Sequence, residues 1–259
     1  MDLTVNRGPS QRVLIWTKAR KDWVEEERLL APQLQPGWQL MHIPCIEIEP
    51  VPLIVPPQTP DYVVVTSANA ARRAAADQSM KQAMRAAKQV YTHGAKTAQV
   101  LRALGIDTTL VSSAQTAEDL CAWIGQNLQR PAQIWLPTAA QPAFDMAAGL
   151  AARGFSTTVL PCYKTVSAAK QANGDRFTEA LVAQLCQSLS GVVCFASPSA
   201  VAGFAAVFAP TKDTLGASLH ACVIGPTTAA AAAPYFTHVT AAAAARIDAL
   251  AAMALSLTL

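Results

Sequence analysis

Charge is scarce in this chain. Only 14% of its 259 residues are Asp, Glu, Lys or Arg, while 52% are hydrophobic; about 25% charged is usual for a globular protein. Disorder needs low hydrophobicity and high net charge, so it is excluded. The 20 basic and 17 acidic residues leave a formal charge of +3, and no long basic run is present to pair with phosphates, which argues against nucleic-acid binding. Unbroken apolar runs are missing too. Residues 180–211 and 214–245 carry no charged side chain, but Pro, Gly and polar residues interrupt both, and a spanning helix needs about 20 predominantly apolar residues in a row. The opening segment MDLTVNRGPSQR lacks the apolar stretch of a secretory signal. Six cysteines (Cys45, Cys121, Cys162, Cys186, Cys194, Cys222) are scattered with no C-x-x-C pair. Several fall in strand-like runs, where cysteine serves as a small buried hydrophobe. A soluble, reduced, cytoplasmic protein is the expectation.

Familiar catalytic signatures are absent as well. The chain has no G-x-x-x-x-G-K-[ST], G-x-G-x-x-G, G-x-S-x-G or H-E-x-x-H, which excludes the common nucleotide sites, nucleophile elbows and zinc proteases. Its four histidines (His42, His93, His220, His238) lack metal-ligand spacing, so no metal is expected.

What is present is alternation. Short apolar runs read as buried parallel strands: Val13–Thr17, Trp38–Ile43, Tyr62–Thr66, Gln89–Thr92, Thr108–Val111, Gln133–Leu136, Ser156–Leu160, Val192–Ala196, Ala221–Ile224 and His238–Thr240. Helical patterns lie between them at Asp22–Leu34, Asn69–Ala87, Ala95–Leu104, Glu118–Leu128, Pro142–Arg153, Asp175–Leu189, Pro198–Val207, Thr227–Tyr235 and Ala245–Leu255. Strand–helix alternation at this spacing predicts parallel α/β architecture. Gly105 and Gly154 sit where left-handed helix ends are expected, and Ser67, Thr116 and Ser197 where hydroxyls cap helix starts.

The halves also resemble each other. VVVTSANAARRA at 63–74 reads like VCFASPSAVAGF at 193–204, matching Ser67 with Ser197, and HGAKTAQVL at 93–101 reads like IGPTTAAAA at 224–232, matching Gly94 with Gly225 and Thr97 with Thr228. A weaker match sets AEDL at 117–120 against IDAL at 247–250. All fall at an offset of about 130 residues in the same order, which predicts two similar α/β domains and is far too long for a solenoid. Each repeat carries two small-residue turns where a strand ends and a helix begins, the place where open parallel sheets bind ligands. There the helix N–H groups are free, and an anion gains roughly 0.3–1 kcal/mol per terminus. Four such turns facing a shared cleft would suit a polyanion; the plainer reading is that their Ser and Thr only cap helices. Tyr163, between Leu160-Pro161-Cys162 and Lys164-Thr165, is a polar aromatic at the junction between halves.

These segments resemble the uroporphyrinogen-III synthase family, cofactor-free cyclases of tetrapyrrole biosynthesis. The resemblance covers nearly the whole chain. It is carried by Val65-Thr66-Ser67-Ala68-Asn69-Ala70, Gly94 to Ala98, Leu160 to Thr165, Ser197-Pro198-Ser199-Ala200 and Ile224-Gly225-Pro226-Thr227-Thr228-Ala229. It implies two flavodoxin-like parallel-sheet domains joined by a two-stranded linker. One would comprise residues 1–43 and 167–259, the other 46–162, with linkers near 42–47 and 162–166; this replaces the head-to-tail division that the repeat alone suggests.

The activity implied is closure of hydroxymethylbilane, with its eight carboxylates, to uroporphyrinogen III with loss of water and inversion of ring D, without a cofactor. Because spontaneous closure leaves ring D unflipped, positioning would be the dominant task. By resemblance, Tyr163 would assist departure of the hydroxyl. Lys18, Ser67, Asn69, Gly94, Thr97, Ser197, Ser199, Gly225, Thr227 and Thr228 would bind substrate. Lys18 stands where many members carry arginine, keeping the charge but losing the bidentate fork. The segment Leu136–Pro142 replaces a glycine- and arginine-rich loop, Thr92-His93 precedes Gly94 where an apolar residue is usual, and Ala232–Phe236 lacks a helix-ending glycine. A monomer is expected, with transient contact to the preceding pathway enzyme as the one protein partner foreseen. The alternative is a non-catalytic two-domain binding protein for a tetrapyrrole or another small polyacid; a sensor or sugar-binding module is weakened by the lack of an acidic phosphoacceptor cluster.

Overall fold

The computed structural model describes residues 12–20, 23–167 and 175–257. The expected helix start at Asp22, the opening segment before Arg12 and residues 168–174 of the first expected domain lie outside them. In chain order the strands are β1 (Arg12–Trp16), β2 (Trp38–His42), β3 (Ile46–Pro50), β4 (Tyr62–Val64), β5 (Gln89–Thr92), β6 (Thr109–Leu110), β7 (Gln133–Ala139), β8 (Ser156–Ser167), β9 (Ser190–Phe195), β10 (Leu219–Val223) and β11 (His238–Ala241). The helices are α1 (Trp23–Leu30), α2 (Ala68–Ala76), α3 (Gln78–Ala86), α4 (Ala95–Ala103), α5 (Ala117–Asn127), α6 (Met146–Ala151), α7 (Glu179–Ser188), α8 (Pro198–Phe208), α9 (Leu215–Ser218), α10 (Pro226–Ala232) and α11 (Ile247–Ser256). The chain divides into two compact units, Met1–Glu47 with Val166–Leu259, and Ile48–Thr165.

The first unit is built on a sheet in the order β11-β10-β9-β1-β2, parallel throughout. Its strands are apolar at nearly every position because both faces are covered, and side-chain alternation divides them between two cores. Val13, Ile15, Val193 and Phe195 pack with Phe204 and Phe208 of α8 and with Phe236. Leu14, Trp16, Val192 and Cys194 pack on the other face with Leu30 of α1 and with Leu250 and Ala254 of α11. Each large side chain buried in this way contributes roughly 1.5–3 kcal/mol.

The second unit repeats the scheme in a six-stranded sheet ordered β3-β8-β7-β4-β5-β6. Val63, Val65 and Trp135 face the core of α2, α3 and α4, while Val64, Ile134 and Leu136 face that of α5 and α6. Counted in chain order within each unit, the first sheet runs 2-1-3-4-5, the flavodoxin order, and the second, β3 aside, runs 3-2-1-4-5, the other common order of doubly wound α/β folds. Each therefore carries a sharp strand-to-helix turn beside its centre, β4 to α2 in one and β9 to α8 in the other.

Helix ends follow local chemistry. Ser67, Thr116 and Ser197 cap α2, α5 and α8 through their hydroxyls, and Thr116 forms a reciprocal capping box with Asp119. Gly105, at φ +74°, closes α4: its N–H donates to Arg102 O and that of Ile106 to Leu101 O, the paired bonds of a glycine-terminated helix. Five of the six cysteines are buried and Cys186 is half-buried.

Four elements differ from the sequence expectation. The helix expected over Asn69–Ala87 is two helices, because Asp77 takes an extended conformation and caps α3 through Met80 N–H at 2.9 Å. Asp competes for backbone N–H groups and so favours a cap over a helix interior. β3 and the short α9 were not expected as separate elements. The segment Leu136–Pro142 is not a loop at its start: β7 runs on to Ala139. Pro137 is tolerated there because β4 pairs with β7 only at Tyr62↔Ile134 and Val63↔Trp135, so no neighbour on that side requires its missing N–H.

Gly191 is a point where the fold admits no side chain. It lies in β9 opposite Val13, has φ +139°, and a Cβ there would sit 2.2 Å from the Val13 carbonyl oxygen. Gly191→Ala is expected to destabilise the protein by about 3 kcal/mol or prevent folding; urea denaturation measures it, and an unchanged midpoint would contradict this packing.

Candidate functional site

The second unit brings two of the expected residues into contact. Ser67 ends the β4–α2 turn, and its Oγ accepts the Ala70 N–H at 3.0 Å. The same oxygen lies 3.1 Å from the Tyr163 hydroxyl, 96 residues further along the chain. What makes this possible is a bulge in β8. Thr138 pairs with Pro161, but Ala139 pairs with Tyr163, leaving Cys162 as an extra residue. A bulge resets side-chain alternation, so the consecutive residues Cys162 and Tyr163 both enter the core shared with α2. The bulge is locked from both sides: Ala140 N–H donates to Tyr163 O at 2.8 Å, and Val51 N–H to Cys162 O at 3.2 Å.

Tyr163 is 8% exposed. Burial pushes its phenol above the usual tyrosine value, an effect opposed by the hydrogen bond with Ser67, so the side chain is a neutral phenol through the physiological range. The adjacent Cys162 thiol is pushed up to about 11, chiefly by burial, and donates to Thr138 O at 3.4 Å.

The remaining expected residues of this unit lie close by. Asn69 is half-buried in the first turn of α2. Gly94 occupies the start of α4, where no side chain caps the helix; a Cβ there would approach Thr97 Oγ1 to 3.2 Å, and Thr97 itself is 4% exposed. Because β4 and β5 are neighbours, the Ser67 and Gly94 turns open side by side on the carboxyl edge. A shallow, mostly apolar recess on that edge is lined by Thr66, Leu136, Thr138 and Phe144 among others.

In the first unit Ser197 Oγ accepts the Ala200 N–H at 3.2 Å, with Pro198 preset for the first helical position and Ser199 half-buried. The neighbouring turn after β10 holds Gly225, buried and extended; Thr227 is exposed and Thr228 is 2% exposed. Lys18 follows β1, but its ammonium is bound to Glu26, whose other carboxylate oxygen accepts the Trp16 indole N–H at 2.5 Å. Glu26 was not foreseen. The signal was available in the helical period, since of Glu25, Glu26 and Glu27 only Glu26 shares the buried face with Leu30.

Among the described residues no three His, Cys, Asp or Glu side chains group as metal ligands would, and no helix is long and apolar enough to cross a membrane.

The class these features define is a two-unit, doubly wound α/β protein with small-residue turns on the carboxyl edges of both sheets. The family model described as uroporphyrinogen-III synthase HemD matches residues 29–252, and the chain belongs to that family. The uroporphyrinogen-III synthetase of Helicobacter pylori 26695 is similar in structure, with a TM-score of 0.64 at 16% identity over 95% of this chain and 100% of that one. A mutant uroporphyrinogen III synthase of the extremely thermophilic bacterium Thermus thermophilus gives a TM-score of 0.54 at 18% identity over 93% and 95%. At these identities the likeness concerns the fold. Comparison with curated proteins finds no match. The family is one of enzymes of heme biosynthesis, and this chain is one of them.

The buried titratable groups give this geometry measurable consequences. Burial lowers the proton affinity of His42, His93 and His220. Their folded values lie below the unfolded value of about 6.5, so the stability they contribute is complete above that pH and lost as pH falls below it; the urea midpoint should drop between pH 7 and pH 5. Glu26→Ala leaves the Lys18 ammonium and the Trp16 indole without their shared acceptor and should cost about 3 kcal/mol in the same assay.

Proposed function

We propose that this chain closes hydroxymethylbilane to uroporphyrinogen III as a cofactor-independent hydro-lyase, with Tyr163 assisting departure of the terminal hydroxyl as water. Membership of the family supports the reaction, and the observation that carries the assignment of Tyr163 is its buried, neutral phenol held against Ser67 at 3.1 Å. A phenol kept protonated can donate as the carbon–oxygen bond breaks, a contribution of typically 10²–10⁴-fold. The larger share of the barrier falls to positioning, for which well-oriented groups supply roughly 7–11 kcal/mol.

The substrate carboxylates are assigned to the strand–helix turns: Ser67, Asn69, Gly94 and Thr97 in one unit, and Ser197, Ser199, Gly225, Thr227 and Thr228 in the other. Free backbone N–H groups and hydroxyls at such turns receive anions without requiring a lysine or arginine for each. Lys18 adds one cation at the end of β1, partly neutralised by Glu26. Within this proposal the protein is a cytoplasmic monomer that meets the preceding pathway enzyme only transiently.

The test is incubation of the purified protein with freshly generated hydroxymethylbilane, followed by oxidation and separation of the porphyrin isomers. Type III is expected as the dominant product, insensitive to chelators. Only type I at the spontaneous rate would overturn the proposal, and binding without turnover would point to a tetrapyrrole-binding protein. Tyr163→Phe should lower kcat by about 10²-fold while leaving the thermal midpoint nearly unchanged; full rate in that variant would remove Tyr163 from the mechanism.

A further inference from the structure

Ser67 makes two hydrogen bonds with different constraints. Its Oγ accepts the Ala70 backbone N–H at 3.0 Å, and an amide N–H can only donate, so the direction of that bond is fixed. The hydroxyl keeps one proton of its own, and the Tyr163 oxygen lies 3.1 Å away. If Tyr163 donated to Ser67, the Ser67 proton would lose this acceptor and the phenol proton would be spent inside the protein. The opposite direction uses the Ser67 proton and leaves that of Tyr163 available. Cys162 does not compete, because its thiol bonds Thr138 O and reaches towards Ala70 O.

We propose that Ser67 is a positioning residue that acts through Tyr163: it donates its hydroxyl proton to the phenol oxygen, so that the phenol's own proton faces outward for the departing hydroxyl. This rests on the assignment of Tyr163 made above and changes the role of Ser67 from a carboxylate ligand to the partner of the acid. In the step, the bond from the terminal methylene carbon to its hydroxyl oxygen breaks, the electron pair leaves with oxygen, and the Tyr163 proton completes the water. The phenolate that remains is held by the Ser67 O–H. The proton released when ring D regains its aromatic pyrrole after closure restores the phenol, so nothing is oxidised or reduced.

The two duties of Ser67 can be separated, because glycine is nearly as good a helix cap as serine yet has no hydroxyl. Rates of type III formation are measured for the wild type, Ser67→Gly, Ser67→Thr, Tyr163→Phe and the Ser67→Gly/Tyr163→Phe double variant, with thermal midpoints as the folding control. Ser67→Gly is expected to lower kcat about tenfold with KM and thermal midpoint nearly unchanged. Threonine should restore most of the rate. The double variant should be no slower than Tyr163→Phe alone, because the serine has nothing left to act through. A rise in KM at constant kcat, or losses that multiply in the double variant, would overturn the proposal and return Ser67 to the carboxylate ligands. Full rate in Tyr163→Phe would instead refute the role of Tyr163 itself. A second readout needs no turnover: in protein carrying ¹³C-labelled tyrosine, the signal missing from Tyr163→Phe should titrate at higher pH in Ser67→Gly than in the wild type, and an unmoved titration would contradict the donated hydrogen bond.

Discussion

The extra residue in β8 holds the candidate site together. Regular pairing would send Leu160 and Cys162 to one face and Tyr163 to the other. By opposing Ala139 with Tyr163 rather than with Cys162, the strand turns the phenol onto the α2 face, where the capping serine of that helix already has its oxygen fixed by a backbone N–H. The bulge in turn depends on β7 continuing past the end of β4 to Ala139, and on bonds from Ala140 and Val51 that hold the irregular strand on either side. A side chain that must keep a proton while buried needs a rigid partner, and a helix cap is among the most rigidly placed hydroxyls a protein can offer.

Charge is arranged with comparable economy. In the function proposed, a substrate with eight carboxylates meets a chain of net charge +3, and Lys18, just after β1, is tied to the buried Glu26. Such a pair satisfies the carboxylate and the Trp16 indole but reduces the positive field available to a ligand. On that proposal the burden of anion binding would shift to backbone N–H groups and hydroxyls at the strand–helix turns of both sheets. Small residues at Gly94 and Gly225 keep those turns open, and Thr97 and Thr228 follow them at matched positions.

Much of this was legible in the residues. Alternating strand and helix periods locate ten of the strand positions closely, and the caps Ser67, Thr116 and Ser197 behave as their chemistry requires. The misses have local causes. Asp77 outcompetes an alanine-rich helix for backbone N–H groups, a contest that helical periodicity does not report. β3 carries a strand alternation, Ile46-Glu47-Ile48-Glu49, that was readable but falls where a linker near 42–47 was expected; in the sheet it lies beside β8. The bulge at Cys162 leaves no local mark, because two consecutive buried residues look the same whether a strand is regular and covered on both faces or bulged. Glu26 was readable from its phase with Leu30, but three glutamates in a row look like a solvated face until their period is counted.

In the function proposed, tetrapyrrole carboxylates are received at the carboxyl edges of the sheets, with Tyr163 in reach of the reacting end. A crystal structure of the protein with uroporphyrinogen III bound decides the matter. Product carboxylates should be hydrogen-bonded to backbone N–H groups of the turns beginning at Ser67, Gly94, Ser197 and Gly225, with the Tyr163 hydroxyl facing the bridging carbon that joins rings A and D. Product bound away from those turns, or with Tyr163 out of hydrogen-bond reach of it, would refute both assignments.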